Sequence, residues 1–377
     1  MRPPLRLPLA VLGGLVLTLS ACDSGSSIDP DGPLGEAVAN VGQWTFLEVP
    51  GSVCRDGSDT GIGVRLQEGA DDLMIYLEGG GACFNGETCR ANDSSFDEDD
   101  FDDRVAGFGG SFSLDSGIFR TSADNPVGDW NMVYVPYCTG DVHGGSFPGA
   151  LVGGPGDPFG LGPQQFVGHG NVERALALLA DGLGDRPDDV LLTGASAGGF
   201  GTLVNFPAVA ETFRGADLTL FDDSGPIFFQ DNVLSPDLGD GFVAQFNFAG
   251  TLPGAAEVTG RDGLQNIYGY LARTYPDATF GLASYLEDGT IRRFFSFGQP
   301  DGDISGDEFA AGLRDIRAEV PEGWATYFAA GSGHTFVLDR GFYAASDGVT
   351  LNDWLADLLD GEAPDVDPDG VVAVAAR

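Results

Sequence analysis

The sequence predicts an α/β fold in which a mainly parallel central sheet is covered by helices on both faces. Short apolar runs that end in glycine-rich loops alternate with longer stretches whose apolar residues recur every three or four positions. The 59 glycines among 377 residues supply the turns and close backbone approaches of a loop-rich α/β protein. One large domain with a leader and a tail accounts for the length.

The predicted strands are apolar runs followed by loops. Six stretches contain them: residues 73–77, 132–137, 189–193, 217–225, 291–298 and 324–334. Residues 171–183 are predicted to be a helix from their apolar spacing, and a second helix is predicted after the tight turn at 194–198. Together these elements define a catalytic domain over residues 44–360.

The N-terminus is typical of a secretory leader. Two arginines precede an apolar run, which ends in Leu-Ser-Ala-Cys at Cys22. This ending resembles a bacterial lipobox, so residues 1–22 are interpreted as a lipoprotein signal peptide whose Cys22 carries the lipid. The alternative is an ordinary signal peptide with an incidental cysteine. We therefore expect an exported protein, lipid-anchored at the bacterial cell envelope or surface.

Two polar segments flank the predicted domain. Residues 23–43 are rich in Ser, Gly, Asp and Pro, which predicts a flexible tether. Residues 361–377 begin with an acidic stretch that predicts a disordered tail.

The charge is strongly negative. The chain has 57 acidic residues against 18 basic ones, all arginine, for a net charge of −39. Such a field repels nucleic acid, so a DNA or RNA partner is excluded. The same balance resembles the acidic surfaces of salt-adapted proteins, in which ions screen the self-repulsion.

The motif Gly-Ala-Ser-Ala-Gly at residues 194–198 lies between a predicted strand and a predicted helix. In an α/β-hydrolase-like fold this context places the serine on a strained turn, exposed as a nucleophile. Ser196 is therefore the candidate nucleophile. The alternative is a small residue in a glycine-rich bend.

A serine hydroxyl needs a base, and the chain has three histidines: His143, His169 and His334. In α/β-hydrolases the chain order is nucleophile, acid, histidine, and only His334 follows Ser196. We expect His334 to be the base and His143 to be a structural or surface residue.

The acid should follow a strand between these two residues. Asp301 is the first choice and Asp303 the second, whereas Asp222 and Asp223 lie too close to the nucleophile strand. Asp301 also begins a partial match to a calcium-binding loop, but the twelfth position is Gly312 rather than glutamate. No metal and no cofactor is predicted.

The glycines of LEGGGAC, residues 77–83, follow a predicted strand as the HGGG-type loops of esterases do. The backbone N–H groups of Gly80, Gly81 and Ala197 are the candidate oxyanion donors. A glycine turn without a catalytic role is the alternative.

Four cysteines remain after Cys22: Cys54, Cys83, Cys89 and Cys138. An even number in an exported chain predicts two disulfides, with three pairings possible. No Cys-x-x-Cys motif or neighbouring histidine favours a zinc site instead.

Several ordered segments resemble the pectin acetylesterase and Notum group of carboxylesterases. The matching stretches are CRDGSDTGIGV at 54–64, IYLEGGGACFNGETC at 75–89, DWNMVYVPYCTGD at 129–141 and LLTGASAGGFGTLVNF at 191–206. The resemblance implies a Ser196 nucleophile, a His334 base, the three oxyanion donors named above, and Cys83–Cys89 and Cys54–Cys138 pairs.

Two features depart from the family pattern. The family's acid begins an Asp-x-x-Gln sequence, whereas Asp301 is followed by Gly302, Asp303 and Ile304. The family often has an aromatic residue directly after the glycines, whereas this chain has Gly81 and Ala82 there. The identity of the substrate therefore stays open.

The preferred interpretation is a serine carboxylesterase that removes O-acetyl groups from an extracellular polysaccharide through an acyl-enzyme. An acidic enzyme repels polyanionic pectin at low salt, so a neutral acetylated glycan or a small ester is the better substrate. The alternatives are a longer-chain deacylase of the Notum type and a non-catalytic surface binding protein.

Overall fold

The computed structural model describes residues 28–107, 112–183, 187–228, 235–252, 258, 261–299 and 302–368. Its strands are β1 (Thr45–Val53), β2 (Asp59–Arg65), β3 (Leu73–Leu77), β4 (Asn131–Val135), β5 (Phe147–Ala150), β6 (Gln164–Phe166), β7 (Asp189–Ala195), β8 (Asp217–Asp223), β9 (Thr279–Tyr285), β10 (Trp324–Ala329), β11 (Ala345–Ser346) and β12 (Val349–Thr350). Its α-helices are α1 (Gly35–Ala39), α2 (Gly86–Ala91), α3 (Glu98–Ala106), α4 (Gly168–Gly182), α5 (Ala197–Thr212), α6 (Pro236–Asp240), α7 (Phe248–Thr251), α8 (Ile267–Thr274), α9 (Gly289–Phe295), α10 (Gly306–Glu319) and α11 (Leu351–Leu359).

Eight strands form the central sheet in the order β1-β2-β4-β3-β7-β8-β9-β10. The six strands from β4 to β10 in this order run parallel to one another, and β2 pairs antiparallel with both β4 and the edge strand β1. Because the carboxyl ends of parallel strands meet at one edge, the loops after β3, β7, β9 and β10 converge there. The predicted mainly parallel sheet is confirmed.

Helices cover both faces of the sheet, as predicted. In β3, Leu73, Ile75 and Leu77 face one buried apolar cluster, while Met74 and Tyr76 face another. This alternation follows from the two-residue period of a strand. Helices α4 and α5 contribute side chains to the first cluster, and α3 and α11 contribute to the second.

The prediction of a strand over 291–298 is wrong, because residues 291–295 belong to helix α9. Ile291 and Phe295 are four residues apart and both buried, which is the spacing of one helix face. Asp288 caps the helix by accepting two backbone N–H groups at its start. The strand of this region is β9, whose apolar run is interrupted by Gly281 and Ala283.

Both disulfides expected from the family resemblance are confirmed. Cys54 bonds to Cys138, 84 residues away, and Cys83 bonds to Cys89 across six residues. Disulfides of this kind persist in oxidising compartments, which fits an exported protein.

The folded region extends beyond the expected 44–360. Leu34, before α1, is fully buried in the first apolar cluster. At the other end, Asp367 is 2% exposed and forms ion pairs with Arg314 and Arg317. Part of the expected tether and the beginning of the expected tail are therefore ordered, because an apolar anchor and an ion pair hold them.

The expected leader, including Cys22, lies outside the described residues, as does the end of the tail from 369. Among the helices of the described part, none is long and apolar enough to cross a membrane.

Candidate active site

Ser196 lies on the turn between β7 and α5, as the motif predicts. Its backbone has φ 59° and ψ −118°, a region that non-glycine residues rarely adopt. Its N–H donates to the Asp223 carbonyl oxygen at 2.7 Å. The strain is held by the surrounding structure, as is common for residues at functional sites.

Glycine is required where this turn meets the loop after β3. A Cβ on Gly198 would lie 1.9 Å from the Leu77 carbonyl oxygen. A Cβ on Gly79 would lie 2.5 Å from the Ala195 carbonyl oxygen and 3.1 Å from the Ser196 Cβ. Only glycine allows the two loops to approach this closely.

His334 pairs with a buried carboxylate. Its Nδ1 lies 2.8 Å from Oδ2 of Asp288, which is fully buried, whereas the imidazole is 23% exposed. Because Nδ1–H donates to the carboxylate, Nε2 is left as the acceptor nitrogen. His334 and Ser196 line one cavity of about 660 Å³. A serine nucleophile and its base must lie on one cavity to react with the same ester, and these two residues meet that condition.

The carboxylate that contacts His334 is therefore neither of the two aspartates chosen from the sequence. Asp303 is exposed, and Asp301 lies outside the described residues. Asp288 follows β9 in the strand-then-loop position expected for the acid. The sequence prediction missed it because the strand was assigned to the residues of α9.

Asp223 supports the histidine loop rather than the ring. Its Oδ2 accepts the N–H groups of Phe336 and Val337 at 2.7 and 2.9 Å, which ties this loop to the end of β8. Burial raises the pKa of Asp223 to about 6. Burial raises the pKa of the neighbouring Asp222 as well.

The glycine loop after β3 lines the same cavity as Ser196 and His334. Within the described residues, the N–H groups of Gly80 and Gly81 donate to no protein acceptor. Ala197 is the first residue of α5, where N–H groups have no intrahelical partner. Of the three predicted oxyanion donors, Gly80 and Gly81 thus line the cavity that contains Ser196, and Ala197 follows Ser196 directly in the chain.

A second, small apolar pocket adjoins Ser196. Its volume is about 20 Å³, which holds about one water-sized group. Its lining combines backbone of the two loops with large apolar side chains: Gly81, Ala82, Val142, Ala197, Phe200, Leu238, Phe242, Ile291, Phe294 and Phe295.

Neither of the other two histidines lines these two cavities. His143 is 2% exposed, and its Nε2 lies 2.8 Å from the carbonyl oxygen of Glu78. Burial lowers the pKa of His143 to about 4, so the ring is neutral at pH 7 and donates to that carbonyl. His169 contacts the Asn205 side chain through Nδ1 at 2.8 Å.

The described residues contain no cluster of three or more His, Cys, Asp or Glu side chains suited to a metal ion. The partial calcium-loop match begins at Asp301, outside those residues.

Curated relatives share part of this chain. The Danio rerio protein "Palmitoleoyl-protein carboxylesterase notum1a" is 32% identical over 174 residues, 44% of this chain and 31% of that protein. The Mus musculus protein "Palmitoleoyl-protein carboxylesterase NOTUM" is 30% identical over 165 residues, 42% of this chain and 29% of that protein. The matches thus span about a third of these relatives.

A shorter relative is named inactive. The Danio rerio protein "Inactive palmitoleoyl-protein carboxylesterase notum1b" is 29% identical over 101 residues, which is 25% of this chain and 67% of that protein.

A family model described as "Pectinacetylesterase" matches residues 39–244, more than half of the chain. The matched region includes the glycine loop after β3, both disulfides and the turn that carries Ser196. The expected resemblance is confirmed: the chain belongs to the pectinacetylesterase family.

Proposed function

We propose that this protein is a serine carboxylesterase with Ser196 as nucleophile, His334 as base and Asp288 as the orienting acid. The observation that carries the proposal is the His334–Asp288 pair, whose histidine lines one cavity with a serine on a strained turn. A family composed of ester hydrolases and relatives named carboxylesterases support the same reaction class.

In the first half of the reaction, His334 Nε2 takes the Ser196 hydroxyl proton as Oγ bonds to the ester carbonyl carbon. The carbonyl π electrons move to oxygen, and the N–H groups of Gly80, Gly81 and Ala197 stabilise that oxyanion. The intermediate collapses, the carbon–alkoxide bond breaks, and the imidazolium returns its proton to the leaving alcohol.

In the second half, the neutral His334 takes a proton from water, whose oxygen attacks the acyl carbon. The Ser196 Oγ–carbon bond breaks, the carboxylic acid leaves, and His334 restores the Ser196 hydroxyl. Asp288 accepts from Nδ1 throughout, which keeps the imidazole in the productive tautomer and stabilises its charged form.

We propose that the acyl group is acetyl. The apolar pocket beside Ser196 has room for about one methyl-sized group, and aromatic side chains line it. A palmitoleoyl chain of the kind named for the notum relatives is too long for this pocket. That longer-chain deacylase is the second candidate function. It is supported by the 30–32% identity to relatives named palmitoleoyl-protein carboxylesterases.

We propose that the alcohol is a bulky, uncharged, extracellular glycan. The larger cavity of about 660 Å³ extends from Ser196 past polar groups that include Glu87, Asp93 and Arg293. Because the protein carries a net charge of −39, a polyanion would be repelled at low salt. An acetylated neutral polysaccharide is large and polar enough for this cavity and is not repelled by the charge of the protein.

The alternative that is not an enzyme is a non-catalytic surface binding protein. It is considered because one relative is named inactive. A chain that had only kept the fold would have no need of the His334–Asp288 pair or the strained Ser196. We therefore favour catalysis.

We also propose that the mature protein is exported and that a lipid on Cys22 anchors it in the bacterial envelope. The wild-type chain should partition into the detergent phase of a Triton X-114 extract, because the acyl chains are buried in micelles. The Cys22→Ser variant should move to the aqueous phase. Equal partitioning of the two would instead indicate an ordinary signal peptide.

The acid assignment is tested by Asp288→Asn, which removes the partner of His334 while keeping its shape. We expect kcat to fall by about 10³–10⁴-fold, because the amide no longer holds the catalytic tautomer. Thermal unfolding should be measured alongside, since Asp288 also caps α9.

Asp303→Asn is the matched control and should retain wild-type turnover, because Asp303 is exposed. Full activity of Asp288→Asn, together with loss of activity in Asp301→Asn or Asp303→Asn, would contradict the assignment of Asp288 and support the acid chosen from the sequence.

The acyl group is tested on p-nitrophenyl esters from acetate to palmitate, using residues 23–377 in low and high salt. We expect kcat/KM to be highest for acetate and to fall at least about 100-fold by octanoate, because added methylenes overpack the pocket. Ser196→Ala should abolish turnover at every length.

Leu238→Ala should shift this preference toward longer esters by opening the pocket, whereas Leu271→Ala, a buried leucine of α8, should not. Palmitate as the best substrate of the wild type would favour the deacylase of the second candidate function.

A further inference from the structure

Three carbonyl groups of the glycine loop are each held by a side-chain donor. His143 Nε2 donates to the carbonyl oxygen of Glu78 at 2.8 Å, and the Tyr137 hydroxyl donates to that of Gly81 at 2.8 Å. Between them, the Asn92 side-chain amide donates to the carbonyl oxygen of Gly80. Side chains from two separate segments, the loop after β4 and the end of α2, thus fix the orientation of this loop.

The direction of a carbonyl fixes the direction of the next N–H group. In a planar trans peptide, C=O and N–H point opposite ways. The Asn92 bond to the Gly80 carbonyl therefore sets where the Gly81 N–H points, and the Tyr137 bond to the Gly81 carbonyl sets the Ala82 N–H. Within the described part of the chain, the Gly81 and Ala82 N–H groups have no protein acceptor.

Both donors are themselves held in place. The Tyr137 hydroxyl accepts the N–H of Val142 at 2.8 Å, so its own proton is directed at Gly81. Asn92 follows α2, which the Cys83–Cys89 disulfide ties to the glycine loop. The buried Arg55 guanidinium donates to the Cys89 and Asn92 carbonyl oxygens at 2.9 Å each.

We propose that Asn92 and Tyr137 are positioning residues that aim the N–H groups of Gly81 and Ala82 at the oxyanion. The inference rests on the proposed esterase function and deepens it, because it adds Ala82 as a donor and explains what holds the donors. In this role both side chains act through the backbone of the glycine loop, and neither takes part in a proton transfer.

This role has a kinetic signature. Donors aimed at the oxyanion stabilise the transition state more than the bound ester, so misaligning them lowers kcat and leaves KM nearly unchanged. Loss of one oxyanion donor typically costs 10²–10³-fold, so a misdirected donor should cost about 10–100-fold.

The test uses Asn92→Asp, which replaces the amide donor by an acceptor of the same shape, and Tyr137→Phe, which removes only the hydroxyl. Each has a matched control elsewhere. Asn125 is a buried asparagine whose amide donates to the Ile118 and Arg120 carbonyl oxygens at 2.7 Å.

Tyr327 is the control for Tyr137. Its hydroxyl likewise accepts a backbone N–H, from Ser346 at 3.0 Å, and donates to a carbonyl oxygen, of Val349 at 2.9 Å. The controls are Asn125→Asp and Tyr327→Phe.

For each variant we would measure kcat and KM on p-nitrophenyl acetate, the thermal unfolding midpoint, and Ki for a methyl trifluoromethyl ketone. This ketone forms a tetrahedral adduct with an oxyanion, so its affinity reports the donors directly. We expect Asn92→Asp and Tyr137→Phe to lower kcat and weaken the ketone by the same factor, with KM within about twofold. The controls should lose thermal stability only.

Two outcomes would overturn the inference. In the first, the Asn92 and Tyr137 variants match the wild type in kcat and Ki. In the second, kcat falls in proportion to the loss of thermal stability, and it does so to the same extent in the variants and in the controls. In both cases a wild type that hydrolyses the ester, with an inert Ser196→Ala, leaves the proposed function standing. A wild type inert toward every ester would remove both.

Discussion

The close approach of the loop after β3 to the turn after β7 is the constraint on which the site depends. Glycines at Gly79 and Gly198 let these two backbones pass where a Cβ would collide with a carbonyl oxygen. The strained Ser196 lies on one side of this contact, and on the other lies the glycine loop, whose Gly80, Gly81 and Ala82 N–H groups have no protein acceptor among the described residues. A larger residue at either glycine would separate the candidate nucleophile from its candidate oxyanion donors.

Buried carboxylates then organise the histidine side of the cavity, with separate tasks. Asp288 contacts the ring of His334 and, through its other oxygen, caps the helix that follows it. Asp223 binds two backbone N–H groups of the histidine loop. Each aspartate exchanges hydration for hydrogen bonds, which is the condition for keeping a carboxylate in the interior. The geometry of His334 is thus set from its side chain and from its backbone.

Local patterns were enough to predict much of this arrangement. The strand-turn-helix around Ser196, the position of His334 and the glycine loop all follow from short motifs, because glycine spacing and chain order constrain them directly. The family resemblance supplied the disulfide pairing, which spacing alone left open among three possibilities.

Other parts depended on tertiary contacts that short motifs do not encode. The aromatic run after Ile291 has strand-like composition, yet its register against the core and the Asp288 cap make it a helix. Because of this error, the acid predicted from the sequence was Asp301 rather than Asp288, the carboxylate that contacts His334. The order of residues 361–368 depends on ion pairs with Arg314 and Arg317, two residues that precede them by about 50 positions. The side-chain donors to the glycine loop come from the loop after β4 and from the end of α2, and no short motif links these two segments.

The central claim is that Ser196, activated by His334, attacks an electrophilic ester. Intact-protein and peptide mass spectrometry after exposure to diethyl p-nitrophenyl phosphate tests it most directly, because this reagent traps an activated serine irrespective of the natural acyl group. The account predicts one diethylphosphoryl group per chain, located on Ser196 and absent from His334→Ala. An unmodified Ser196 in the folded protein, or a label on another residue, would contradict it.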